Sequence, residues 1–122
     1  MSEKSNSAEI RIDVNYAIEL ITEIFQAKSC NHYEAKTIAE RLCGSNLKGH
    51  DSHGIARVPR YVEWMERGWL YPNMKPELVV DAGAMACLDA KQGFGQIAGE
   101  CAVDEGIELS LIHISEPTRR LC

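Results

Sequence analysis

Apolar residues recur along this chain at helical spacing first and at strand spacing later. Val14, Ala17, Ile18, Ile21, Ile24 and Phe25 repeat at steps of three and four, which makes one apolar stripe on a helix. Asp13 stands just ahead of the stripe, where its carboxylate can accept from unpaired backbone N–H groups, so the helix is expected to start there. Ser29, Cys30 and Asn31 interrupt the pattern. Asn31 with Glu34 has the form of a capping box. Ala35, Ile38, Ala39, Leu42 and Cys43 then form the inner face of a second helix, and so short a connection predicts an αα-hairpin. A third helix is expected over about Ile55–Arg67. Pro59 constrains it, because proline fits a first helical turn and kinks an interior. Gly68 is its expected stop, and Pro72 and Pro76 frame a loop. Leu78–Val80 and Met85–Leu88 flank Gly83 and read as strands. Gly93–Gly95 opens a last helix with Ile97, Ala98, Cys101, Ala102 and Leu109 inward. The two glycines there are expected to supply positive φ in a tight strand-to-helix turn.

Composition narrows the classes. A chain of 122 residues that is 45% hydrophobic can pack a core, and it fits one domain or part of one. The net charge is −5 and the basic residues are scattered, so no nucleic-acid surface is expected. Cys30, Cys43, Cys87, Cys101 and Cys122 are odd in number and hold no C-x-x-C pair, which points to reduced thiols rather than a zinc ribbon or a disulfide framework. No apolar run is long enough to span a bilayer, and the polar residues 1–12 read as a leader rather than a signal peptide. A cytoplasmic location follows from that reading. The folded body is expected over 13–109. Residues 110–122 resemble a translated sequencing-adapter tail and are expected to be non-native.

The densest chemistry lies in Asn46-Leu-Lys-Gly-His-Asp-Ser-His-Gly-Ile-Ala-Arg-Val-Pro-Arg-Tyr61. His53, Arg57 and Tyr61 stand at i, i+4 and i+8, which is one face if the helix reaches back to His53. If the helix starts later, His53 sits just before it and can still point the same way. The trio suits a 2-oxo or 2-hydroxy acid. Arg57 can hold a carboxylate through two parallel hydrogen bonds. His53 can exchange a proton with the neighbouring oxygen, Ser52 can orient the imidazole, and Tyr61 can donate to the bound acid. A loop histidine beside an ordinary helix face fits the spacing equally well.

Asp51-Ser-His-Gly-Ile-Ala-Arg-Val-Pro-Arg-Tyr61 closely resembles the signature of the malate/L-lactate dehydrogenase family of the second type, which includes ureidoglycolate dehydrogenase and is unrelated to Rossmann-type lactate dehydrogenases. The resemblance runs from about Val14 to Leu109 and takes in Gly68, Pro72, Gly83, Asp89 and the Gly93-Phe-Gly-Gln96 turn. It implies an α/β fold of which this chain is the N-terminal piece: a helical hairpin, a third helix, short strands and a following helix. It implies His53 as the acid/base with Ser52 beside it, and Arg57 and Tyr61 near the substrate. It also implies NAD or NADP as cofactor, a cytosolic homodimer, and a substrate of the malate, lactate or ureidoglycolate type. The family's main cofactor-binding segments lie further downstream, so the piece alone is expected to be inactive.

Two other readings compete. His50, Asp51 and His53 lie within four positions and invite a metal-dependent hydrolase, although no further ligand cluster accompanies them. The Ile21/Phe25 and Ile38/Leu42 faces invite a non-catalytic helical module that presents them to a partner. Gly93-Phe-Gly-Gln-Ile-Ala-Gly99 follows an apparent strand, but its spacing is one residue too long for a dinucleotide fingerprint. His113 matches no motif of the family and is assigned no role.

Overall fold

The computed structural model describes residues 11–112. The leader 1–12 and the tail 110–122 therefore lie outside the described residues, apart from 11–12 and 110–112. The elements are α1 (Val14–Ala27), α2 (His32–Leu47), two single 3₁₀ turns (Asp51–His53 and Ile55–Arg57), α3 (Val58–Glu66), β1 (Glu77–Ala82), β2 (Met85–Asp89) and α4 (Gly95–Ile112). The order of helices and strands is the one expected.

Local chemistry sets the helix boundaries. Asp13 caps α1 by accepting from the Tyr16 backbone N–H at 3.1 Å. Asn31 caps α2 by accepting from the Glu34 N–H at 2.8 Å. The other half of the expected capping box does not form. The Glu34 carboxylate accepts from the Asn73 N–H instead, at 2.7 Å, and the Asn31 N–H donates to Asn73 Oδ1, also at 2.7 Å. Asn73 Nδ2 donates to the Ser29 carbonyl at 2.7 Å. One residue of the loop after α3 thus pins the α1–α2 turn. No local pattern announces it, because its partners lie about forty residues away.

Three helices end alike. At Ser29, Gly49 and Gly68 the backbone turns to φ +81°, +86° and +78°. Each reversal closes with the paired bonds of a Schellman motif, such as Cys30 N–H to Phe25 carbonyl, His50 N–H to Ser45 carbonyl and Trp69 N–H to Trp64 carbonyl. Glycine takes this backbone freely, whereas Ser29 adopts it with a side chain present.

The core forms where α1 and α2 face each other. Ala17, Ile21, Phe25, Ala35, Ile38, Ala39, Leu42 and Cys43 are buried, with Val14 and Ile18 half-covered beside them. The stripes Ile21/Phe25 and Ile38/Leu42 are therefore internal, and this corrects the reading of them as a free partner surface. Phe25 is fully buried and stands 5.7 Å from the Phe94 ring, edge-on, and 6.4 Å from Tyr61. Tyr61 and Phe94 are themselves 5.8 Å apart. This aromatic triangle joins α1, α3 and the start of α4.

Three expectations need correction. The third helix begins at Val58, not near Ile55, and Pro59 occupies its first turn as proline prefers. The turn before α4 takes its positive φ from Lys91 (+57°) and Gln92 (+61°) rather than from its glycines. Gly93 serves close packing there, since a Cβ on it would lie 3.0 Å from Met74 Cβ and 3.1 Å from the Ala90 carbonyl oxygen. On α4, Cys101 and Glu105 are buried while Ala102 is exposed. The inner face follows Phe94, Ile97, Cys101 and Glu105, and Ala102 sits about 100° round from it. The helix also runs to Ile112, three residues past the expected boundary, with no glycine or proline to stop it.

The two strands form an antiparallel hairpin with Gly83 (φ +64°) in its turn and a bulge between Leu78 and Val80. Val79, Val80 and Met85 are exposed on it. Cys30, Cys43 and Cys87 are free, but Cys101 is disulfide-bonded, against the expectation of reduced thiols throughout. Among the described residues no helix is long and apolar enough to cross a membrane.

Because Phe25 touches both other members of the triangle, Phe25→Ala is expected to cost about 3–5 kcal/mol, read as a fall in the urea midpoint of unfolding. Unchanged stability would show that the triangle does not hold the helices together.

Candidate functional site

Ser52, His53 and Arg57 come together on the two 3₁₀ turns between α2 and α3. The segment is not a continuous helix. Gly54, at φ −104° and ψ −145°, breaks it directly after His53, so His53 and Arg57 lie on separate turns, each bonded to Ser52, and not along one helical face. Ser52 Oγ lies 3.0 Å from His53 Nδ1. Arg57 Nε donates to the Ser52 carbonyl at 3.0 Å, which anchors the guanidinium by one edge and leaves its terminal nitrogens for other acceptors. Ser52 and His53 are exposed and Arg57 is half-buried.

Tyr61 lies deeper. It is half-buried in the aromatic triangle with Trp64 stacked 5.9 Å away, and its hydroxyl accepts from Gln96 Nε2 at 3.2 Å. Gln96, in the first turn of α4, is a contact that sequence reasoning missed. The Gly93-Phe-Gly-Gln96 turn belongs to the family resemblance, but nothing in the sequence pairs Gln96 with Tyr61.

Asn46 was missed as well. It sits in the last turn of α2, where Nδ2 donates to Asp51 Oδ1 at 2.8 Å and Oδ1 accepts from the Ile55 N–H at 2.7 Å. Asp51 is thus engaged by an amide. Among the described residues no group of three His, Cys, Asp or Glu side chains is gathered closely enough to hold a metal ion. The arrangement of His50, Asp51 and His53 therefore gives the hydrolase reading no support.

In the Gly93–Gly99 turn the backbone is crowded at Gly93, which faces Met74 and the Ala90 carbonyl at contact distance, and open at Gly95 and Gly99.

The perturbed titrations lie elsewhere. Burial, with help from Glu34, pushes the Cys30 thiol far above its ordinary value, and burial also raises Cys43. The Tyr33 hydroxyl donates to Glu100 Oε1 and Arg41 donates to Glu100 Oε2, each at 2.6 Å. The Tyr33 bond, followed by Arg41, holds the Glu100 carboxyl below the usual glutamate value, while Glu100 raises Tyr33. This group ties α2 to α4. It borders a groove of about 460 Å³ that Asn73, Met74, Ile97, Cys101 and Glu105 help to line.

Residues 12–113 match the family model for malate/L-lactate dehydrogenase. The chain belongs to that family. It is 38% identical over 103 residues to hydroxycarboxylate dehydrogenase B of Escherichia coli O157:H7, covering 84% of this chain and 28% of that relative. It is 31% identical over 98 residues to the Δ(1)-pyrroline-2-carboxylate/Δ(1)-piperideine-2-carboxylate reductase of Pseudomonas putida, covering 80% and 29% respectively. Its fold superposes on sulfolactate dehydrogenase from Methanocaldococcus jannaschii with a TM-score of 0.79 at 26% identity, over 84% of this chain and 30% of that one. The chain thus spans under a third of the length of these relatives. The helical hairpin, third helix, short strands and following helix are a portion of this larger fold.

The lowered Glu100 value sets a sign. A carboxyl held below its unfolded value stabilises the fold above that value and ceases to as pH falls through the folded one. Tyr33→Phe is therefore expected to lower Tm near neutral pH, with the gap to the parent chain closing in acid. A gap that persists at acid pH would detach the effect from Glu100. In the same native protein, Cys87 is expected to alkylate first and Cys30 only on unfolding. Mass-spectrometric mapping of the label checks the order, and early labelling of Cys30 would contradict its burial.

Proposed function

We propose that this chain carries the acid-binding and proton-transfer part of a dehydrogenase that interconverts a small 2-hydroxy acid and its 2-oxo acid. The observation that supports it most is the Ser52–His53–Arg57 group, held on two successive turns in a chain of this family. The names of its relatives point the same way, since hydroxycarboxylate, malate and sulfolactate dehydrogenases all act on acids of that class.

The roles follow from chemistry. Arg57 binds the substrate carboxylate with the terminal nitrogens left free by its Nε bond to Ser52. His53 takes the hydroxyl proton as the acid is oxidised and returns it on reduction. Ser52 steadies the imidazole through Nδ1, which leaves Nε2 to face the reacting oxygen. Tyr61 orients the acid from the inner side. NAD or NADP accepts or supplies the hydride when bound. The active unit is then a homodimer of chains as long as the relatives, and the 122-residue chain is inactive alone.

The test is kinetic, on this chain extended to the length of its relatives. His53→Ala is expected to lower kcat by about 10²–10⁴-fold. Arg57→Ala is expected mainly to raise KM for the acid, by about 10–100-fold. Normal turnover by the His53→Ala enzyme would remove His53 from the chemistry.

A further inference from the structure

We infer that Asn46 is a positioning residue for His53, and that Gly54 is glycine in order to admit it. The inference rests on the reading of His53 as the acid/base.

The turn that carries His53 projects from the end of α2 and is otherwise exposed. Its own backbone bonds, His53 N–H to His50 carbonyl at 3.0 Å and Gly54 N–H to Asp51 carbonyl at 3.2 Å, are those of a single 3₁₀ turn. Such turns are weak by themselves. Asn46 grips this one from both sides. Its Nδ2 holds the Asp51 carboxylate two residues before His53, and its Oδ1 holds the Ile55 N–H two residues after. Those partners fix the orientation of the amide. A flipped group would set Oδ1 against a carboxylate and Nδ2 against an N–H donor.

Space as well as polarity selects the residue. Gly54 is buried although both its neighbours are more exposed. A Cβ on Gly54 would overlap Asn46 Oδ1 and would lie 2.5 Å from Cγ and 2.8 Å from Nδ2. The amide thus occupies the volume that any other residue at 54 would fill. Asn46 itself is fixed by the last turn of α2, whose Schellman closure at Gly49 begins one residue beyond the helix cap. Helix end, amide and turn form one rigid path to the imidazole, and Arg57 reaches the same turn through the Ser52 carbonyl. An aspartate at 46 would keep the acceptor for Ile55 but set two carboxylates together. An alanine would keep neither bond.

The test uses the 15N-labelled 122-residue chain with Asn46→Ala, Gly54→Ala and the double variant. Amide exchange at Ile55 is expected to accelerate about tenfold in Asn46→Ala, as loss of one hydrogen bond implies. Amides of Phe25 and Ile38 are expected to keep their rates. Gly54→Ala is expected to accelerate Ile55 exchange likewise, by evicting the Asn46 amide. The double variant should then be no worse than the worse single, because both changes break one contact. The His53 ring 15N signals should move in all three variants, while those of His32, on the first turn of α2, stay in place. A purely structural Asn46 would leave the His53 ring signals unmoved. If Asn46→Ala unfolds the chain, Asn46→Asp is expected to keep Ile55 protected and loosen only the His53 and Gly54 amides.

Unchanged Ile55 exchange, additive effects in the cycle, or an unmoved His53 ring would each overturn the inference. None of these readouts involves turnover, so a failed His53→Ala experiment and a failed clamp are separately visible.

Discussion

Everything in this structure hangs on the packing of Phe25 against Phe94 and Tyr61. The α1–α2 hairpin could form alone, since its stripes face each other over a short turn. The third and fourth helices have no comparable apolar seam of their own. They are joined to the first two helices through these rings and the aliphatic residues around them, with Ile55, Val58, Val62, Met65 and Ile97 against the same cluster. Surface ion pairs such as Lys28–Glu66 and Arg41–Glu100 cross the same joints, but exposed pairs contribute little beside a buried aromatic contact.

That joint also decides where chemistry can sit. The core closes around Tyr61 and leaves the two turns before it at the surface. His53 is therefore presented on a short arm outside the packed body, and its orientation has to come from hydrogen bonds rather than from burial. Ser52 Oγ to the His53 ring, Arg57 to the Ser52 carbonyl, and Asn46 to Asp51 and Ile55 are the bonds that do this. The charged and perturbed groups around Glu100 stand on the α2–α4 side and act on cohesion between helices.

Legibility from sequence followed the range of the interaction. Both hairpin helices, their Asp13 and Asn31 caps, the Gly68 stop and the strand pair about Gly83 rest on neighbours within a few residues, and each was readable. Ser52, His53 and Arg57 stand out by their motif, and so does their closeness in the chain. What sequence could not give was set by distant partners. Asn73 redirects Glu34 away from its own cap. Met74 fills the space beside Gly93, and the positive φ of that turn lies at Lys91 and Gln92. Asn46 looks like any helix-end polar residue until Gly54 is seen beneath it. The start of the third helix was misplaced for a local reason, since Gly54 and Pro59 together confine the preceding residues to single turns.

Tyr61 has a consequence for how such a protein can change. Its ring is one corner of the aromatic triangle, and its hydroxyl is bound to Gln96. Any replacement that alters its shape disturbs the joint between helices before it alters what the turn can bind. Ala56 and Arg60 carry no such burden, being exposed. Mutational drift therefore has an open route at these exposed positions and a nearly closed one at Tyr61. Variation should accumulate at the former, while Tyr61 changes only together with Phe25 and Phe94.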